Sequence, residues 1–174
     1  MAHIAYPPED SLDPKDRVAD PDNIIQIHRI HPRVMRQHYE LYVELMRGPG
    51  PLSRVQREMV ALVVSATNGC HSRLPHHGAG LRKLLAAGMA DAEAEALVEA
   101  LRRDYGRAPL VGTDRALLDY ADKLTRTPGA MGREDVERLR AHGFDDRAIH
   151  DLAAIVGYFA FVNRIADGLG VELE

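Results

Sequence analysis

Two stretches of this chain are apolar on nearly every face. Residues 59–66 read MVALVVSA and residues 152–162 read LAAIVGYFAFV, with no charge in either. A surface helix shows an apolar stripe with a period of about 3.6 residues, whereas a segment without a polar side must be surrounded. Each stretch is well short of the ~20 apolar residues that cross a bilayer, so the surroundings are protein rather than lipid. Two central helices packed among amphipathic ones are therefore expected. The composition agrees: 45% of residues are hydrophobic and 28% charged, with no tryptophan. Alanine, leucine, arginine and glutamate are plentiful, and they favour helix. The 174 residues fit one all-α domain.

Punctuation along the chain places the other helices. Residues 1–22 carry four prolines and six acids without a period, which predicts an extended N-terminal arm ahead of a helical domain at 23–174. From Pro32, Val34, Gln37 or His38, Leu41, Leu45 and Met46 form one helical stripe, which GPGP at 48–51 stops. Ser53 is a good N-cap for the first apolar helix, and Asn68-Gly69 a left-handed stop. A third helix is expected from Ser72 or Leu74 to Ala87, ended by Gly88, with Pro75 tolerated only in its first turn. Asp91 is expected to cap the next, and Thr113 or Asp114 the one after. Gly132 precedes a short helix, and the second apolar stretch lies in the last. LMRGPGPLSR at 45–54 matches LTRTPGAMGR at 124–133 at five positions with an offset of 79, and Glu58 falls on Glu137. That pattern suggests a duplicated helix-turn-helix unit.

Several function classes are excluded. The net charge is −4 and no dense run of lysine and arginine is present, so nucleic acid is not an expected partner. Residues 1–20 hold no apolar signal core, and no membrane association is expected, which predicts a cytoplasmic protein. A single cysteine excludes an internal disulfide.

That cysteine lies in NGCHSRLPHHG, residues 68–78, with three of the nine histidines. If 53–67 and about 72–87 are antiparallel helices, Glu58 lies about 18 Å below the turn on one and His77 about 10 Å below it on the other. The axial gap of ~7 Å can be bridged by the two side chains and a water. Positions 70, 73 and 77 share a face if the first turn is helical. The result is a column of thiol, guanidinium, imidazole and carboxylate. A thiol reacts as its thiolate, which a helix N-terminus and a cation such as Arg73 favour. Glu58 can orient His77 as a proton acceptor. Each residue also has a structural reading. Cys70 can be a small buried filler, Glu58 can pair with Arg54 or Arg57, and Arg73 can be solvated or pair across an interface with an acid such as Glu44. A zinc site from His71, His76, His77 and Glu58 is disfavoured, because adjacent histidines on a helix diverge by about 100°. No metal or cofactor is therefore expected. His28, His31 and His38 are expected on a solvated or interface face. Asn163-Arg164 is polar within an apolar helix, and either reaches towards the site or satisfies helix ends.

At these residues the sequence resembles the alkylhydroperoxidase D (AhpD) and carboxymuconolactone decarboxylase superfamily. Its motif is a glutamate, eleven residues, Cys-x-x-Cys, three residues and a histidine, and here Glu58, Cys70 and His77 stand in register. HPRVMRQHYELYVELM and YFAFVNRIADGLGVELE resemble the peroxidase-related branch, so the likeness spans roughly 21–174. It implies an all-α, AhpD-like bundle of about eight helices that forms a homo-oligomer, such as a dimer, trimer or hexamer. It also implies an antioxidant, peroxiredoxin-type oxidoreductase. Where the family has its second cysteine, this chain has Arg73, which cannot attack a peroxide.

Three readings follow. Cys70 can be the thiol of a one-cysteine cycle, weak and resolved by an external thiol reductant, with His77 and Glu58 assisting and Arg73 holding the thiolate. Alternatively Glu58 with His77 or His76 works as an acid-base pair on a small carboxylate held by Arg73, as in the decarboxylase branch. In the third, the chain is a non-catalytic, ligand-binding oligomer. The replaced cysteine supplies a test: Arg73→Cys should form a disulfide with Cys70, if their Cα atoms lie within the ~4.4–6.8 Å that a bridge tolerates. A gain of dithiol-dependent peroxide turnover in that variant would mean that the rest of the site is competent, and no gain would mean a reshaped pocket.

Overall fold

A computed structural model describes residues 2–20, 22–70 and 74–171. Among these there are eight α-helices and no strand: α1 (Asn23–Gln26), α2 (Pro32–Arg47), α3 (Arg54–Thr67), α4 (Leu74–Leu85), α5 (Asp91–Asp104), α6 (Gly112–Arg126), α7 (Arg133–Ala141) and α8 (Asp146–Leu169). The two apolar stretches lie in α3 and α8. Nine of the fourteen residues of α3 are buried, because α2, α4, α5, α6 and α8 pack around it. By length and composition α8 could cross a membrane. Ten of its 24 residues are instead buried within the bundle, against neighbours that include α2, α3, α6 and α7.

Local chemistry sets several boundaries. Pro32 opens α2 in its first turn, where its missing N–H costs nothing. Ser53 and Gln56 close a capping box: Ser53 Oγ accepts from Gln56 N–H at 3.1 Å and Gln56 Oε1 from Ser53 N–H at 3.0 Å. The offset of 79 recurs here, since Asp135 Oδ2 accepts from Gly132 N–H at 2.9 Å. Thus α2–α3 and α6–α7 are joined by turns of equal length with the same N-terminal bond. Asp145 caps α8 through Ala148 N–H, and Gly170 ends it with φ +63°.

Other boundaries depart from expectation. Asp91 is the first residue of α5, after a cap at Ala90 that makes no side-chain bond. There it acts as a favourable first-turn charge. Helix α6 starts at Gly112 after Val111, ahead of Thr113 and Asp114. Asp114 instead accepts from Gln56 Nε2 at 2.9 Å and ties α6 to α3. Helix α4 ends at Leu85, two residues before Ala87. Leu41 is exposed, because α2 turns Met35, His38 and Met46 inward.

The arm lies against its own chain. Leu12 is buried, Ile4, Tyr6 and Val18 pack on the core, and His3 N–H donates to the Leu169 carbonyl at 2.8 Å. Arg29 pairs with Glu9 at 3.2 Å and Arg36 with Asp16 at 3.1 Å. The arm thereby brings Asp20, which is buried, beside Tyr42 and His77.

Arg57 organises the turn between α2 and α3. Its guanidinium donates to the carbonyls of Leu52 (3.0 Å), Leu45 (3.0 Å) and Gly48 (2.8 Å). A Cβ on residue 50 would come within 2.7 Å of Arg57 Nη2, so glycine there leaves room for the guanidinium. Burial lowers the pKa of Arg57, opposed by the nearby Asp151 charge. Three carbonyls lose their donor in Arg57→Ala, which should cost about 3 kcal/mol in urea unfolding. Arg57→Lys should recover only part of this, since one ammonium cannot reproduce the planar fork.

Candidate active site

Cys70 is positioned by the end of α3. Asn68 is the C-cap of α3, and Gly69 turns left-handed at φ +69°. Gly69 N–H donates to the Ala66 carbonyl and Cys70 N–H to the Ser65 carbonyl, each at 3.0 Å. This pair of bonds is a Schellman closure, which a glycine in the left-handed region makes without strain. Cys70 is therefore held by α3 rather than by the face of α4, which begins at Leu74, and it is fully buried. His71 and Arg73 lie outside the described residues.

Glu58 and His77 meet directly. His77 Nδ1 is 3.1 Å from Glu58 Oε2, and both side chains are buried. An ionised carboxylate can only accept, so Nδ1 carries the proton and Nε2 is the basic nitrogen. Arg57, one of the two arginines that could have paired with Glu58, is committed to the turn. The close approach of α4 helps, since even a Cβ on residue 80 would sit 3.6 Å from the Glu58 carboxylate.

Helix α8 links this pair to the cysteine. Phe159 meets the His77 ring edge-on, with centroids 4.7 Å apart. One turn further, Asn163 Oδ1 accepts from Ser65 Oγ at 3.3 Å, and the Ser65 carbonyl holds Cys70. One face of α8 thus runs from His77 to the seat of Cys70 in about 6 Å of helix. Asn163 is the member of the Asn163-Arg164 pair that reaches inward, whereas Arg164 is exposed and bonds back to its own helix.

The family model described as the carboxymuconolactone decarboxylase family matches residues 32–118, half of the chain, across α2 to α6. The chain belongs to this family. A solved uncharacterized peroxidase-related protein from a Silicibacter species is 34% identical, covers 87% of this chain and 75% of its own, and superposes with a TM-score of 0.79. A second, the alkylhydroperoxidase AhpD core of an uncharacterized peroxidase-related protein from Ralstonia eutropha, is 26% identical. It covers 99% of this chain and 92% of its own, with a TM-score of 0.87. The debrominase Bmp8, solved as a cysteine-to-alanine variant with 2,3,4-tribromopyrrole, shares the fold at 18% identity, covering 88% of this chain and 77% of its own, with a TM-score of 0.70. A search of curated proteins gave no match.

In this carboxymuconolactone decarboxylase family member, His76 and His77 diverge, with ring planes at 85°, and His76 Nε2 turns to Asp22 at 3.7 Å. Both histidines line a small pocket with Asp20, Tyr42, Tyr158 and Phe159, whose free volume of about 10 Å³ holds about one water. An open vestibule of about 270 Å³ shares Asp20, Asp22, Tyr42 and His76 with it, and Arg47 stands at the rim.

Behind Tyr158 lies a cluster that periodicity does not reveal. His28 and His38 are buried rather than solvated. His38 Nε2 is 2.8 Å from the Tyr158 hydroxyl, and the His28 ring meets His38 edge-on and stacks on Phe161. The only available signal was His38 on the apolar stripe of α2. Burial lowers the His28 pKa below 6.5, and the nearby His31 adds to the shift. The folded chain therefore binds fewer protons than the unfolded chain between that lowered value and 6.5. The stabilisation is complete above 6.5 and is lost as pH falls through this window. Between about pH 7.5 and about pH 5.5 the urea midpoint should fall, and by less in His28→Phe, which keeps the stacked ring but cannot titrate.

Proposed function

We propose that this chain reduces hydroperoxides through Cys70 in a one-cysteine cycle and draws its electrons from an external thiol. The observation that carries this reading is the buried Glu58–His77 pair, joined through Phe159 and Asn163 to the residue that holds Cys70. His77 Nε2 takes the thiol proton, and Glu58 orients the ring and stabilises the imidazolium. The thiolate attacks the terminal peroxide oxygen, so that an S–O bond forms, the O–O bond breaks and an alcohol or water leaves. Two equivalents of an external thiol return the sulfenic acid to Cys70, releasing water and a disulfide. Residue 73 is arginine and the chain has no second cysteine, so resolution is intermolecular.

The likeness to two peroxidase-related proteins supports this reading. A second reading is favoured by the burial of Cys70 and by the completeness of the Glu58–His77 pair without sulfur. In it the pair performs acid-base chemistry on a small carboxylate and Cys70 only fills space. Cys70→Ser separates them: peroxide consumption with excess thiol should fall to the rate without enzyme, and retained turnover would sink the one-cysteine mechanism. His77→Asn, with Cys70 intact, should lower kcat/KM about a hundredfold. The pH dependence of Cys70 alkylation should report a thiolate forming below the ~8.5 of a free cysteine.

A further inference from the structure

We propose that the outer face formed by α2 and α8 is a two-fold interface, on which a second copy of this chain docks with its α8 antiparallel. Phe161 of each copy then fills a groove on the other. Among the described residues four large apolar side chains are exposed, and two of them, Leu41 and Phe161, stand on α2 and α8, which pack side by side. The inner side of Phe161 is fixed, since its ring stacks on His28 and meets His38 edge-on. It is therefore a preorganised knob whose outer side meets water.

Beside the knob a groove of about 480 Å³ runs between the same two helices, with Leu41, Leu45, Pro49 and Ala154 among its walls. Positions 154, 157 and 161 are three and four apart on α8, so the groove wall, Gly157 and Phe161 share a face. Phe161 lies about 10 Å along the helix from Ala154, with Gly157 near the midpoint. A two-fold axis passing at Gly157 exchanges the ends of this face and sets each knob opposite the groove of the other copy. Gly157 suits such an axis. It sits in the middle of a 24-residue helix, where glycine is a weaker helix former than alanine. Nothing in its own chain demands it, because its φ is not positive and an added Cβ would meet no atom within 4 Å. A second helix crossing at this point is what a missing side chain admits, since interaxial distance is set by the side chains at the contact.

Charge selects a second copy as the occupant. Helix α2 runs antiparallel to α8, since His38 meets Phe161 while Leu41 and Leu45 share the groove with Ala154 and His150. The Phe161 end of the face therefore carries Arg33 and Arg164, and the groove end carries Glu44, with Glu40 one turn away. All four are exposed and hold no ion pair among the described residues. The other arginines at the groove are committed, Arg147 to Asp151 at 2.9 Å and Arg57 to three carbonyls. A face that is basic at one end and acidic at the other is complementary to itself when reversed. The reversal that seats Phe161 in the groove also brings Arg33 and Arg164 towards Glu44, so one geometry satisfies shape and charge together.

Sedimentation equilibrium of the full-length protein is the test. Wild type should have the mass of a dimer or a multiple of it, and Phe161→Asp should halve that mass. Because Phe161 also packs on His28 and His38, a second variant guards against misfolding. Gly157→Leu adds a side chain whose Cβ meets nothing in its own chain, and it too should halve the mass. Reversing one end with Glu40→Arg and Glu44→Arg should raise the Kd of the dimer about tenfold at low salt, and adding Arg33→Glu and Arg164→Glu should restore it. A monomeric wild type, which leaves the face to an unrelated protein or a lipid surface, would overturn the proposal. A trimeric wild type, an unchanged mass in Gly157→Leu, or charge reversals that fail to rescue one another would overturn it as well.

Discussion

Glu58 occupies a helix that the rest of the molecule surrounds. An ionised carboxylate in such a place costs several kcal/mol unless a partner and hydrogen bonds replace its water. His77 supplies the partner at 3.1 Å, which requires α4 to run close along α3. Gly80 faces the same carboxylate from α4. Gly78, one turn from Leu74, lets Val98 of α5 approach from the other side, since a Cβ there would lie 3.3 Å from it. The path of α4 and the place of His76 at the pocket follow from matching one buried charge.

Helix α8 supplies the opposing wall. Tyr158, Phe159, Val162 and Asn163 are core positions by burial, yet two of the four carry polar groups that meet partners on other helices. Polar atoms in a core fix geometry, because a shifted helix would leave them unpaired. Glu58 and His77 meet directly, and the same helix face that packs on His77 reaches the seat of Cys70. In the one-cysteine reading proposed above, electrons arrive from another molecule.

Much of this was legible in the sequence. The Ser53 capping box, the left-handed Gly69, Pro32 in the first turn of α2 and the central places of α3 and α8 rest on local rules, and the structure keeps them. The pairing of Glu58 with His77 was legible as a spacing and is tighter than the axial estimate, because the helices lie close enough for direct contact. Asp91, Thr113 and Asp114 were misread as caps. A capping residue is a good hydrogen bonder wherever it falls near a helix start, and packing decided that α5 and α6 begin earlier. His28 and His38, expected on a solvated or interface face, are buried, because imidazole is equally at home on a surface and in a polar core.

By itself the sequence determined an all-α chain with two central helices, a closed turn that seats its single thiol, and a carboxylate and imidazole in register with it. These depend on backbone hydrogen bonds and apolar periodicity, which act over a few residues. Only the tertiary structure decided that Tyr158 would meet His38 across 120 residues, that Arg57 would bind a turn rather than Glu58, and that the arm would lie beside the pocket. Such contacts depend on how closely and at what angle helices pack, and that is set by the whole core at once.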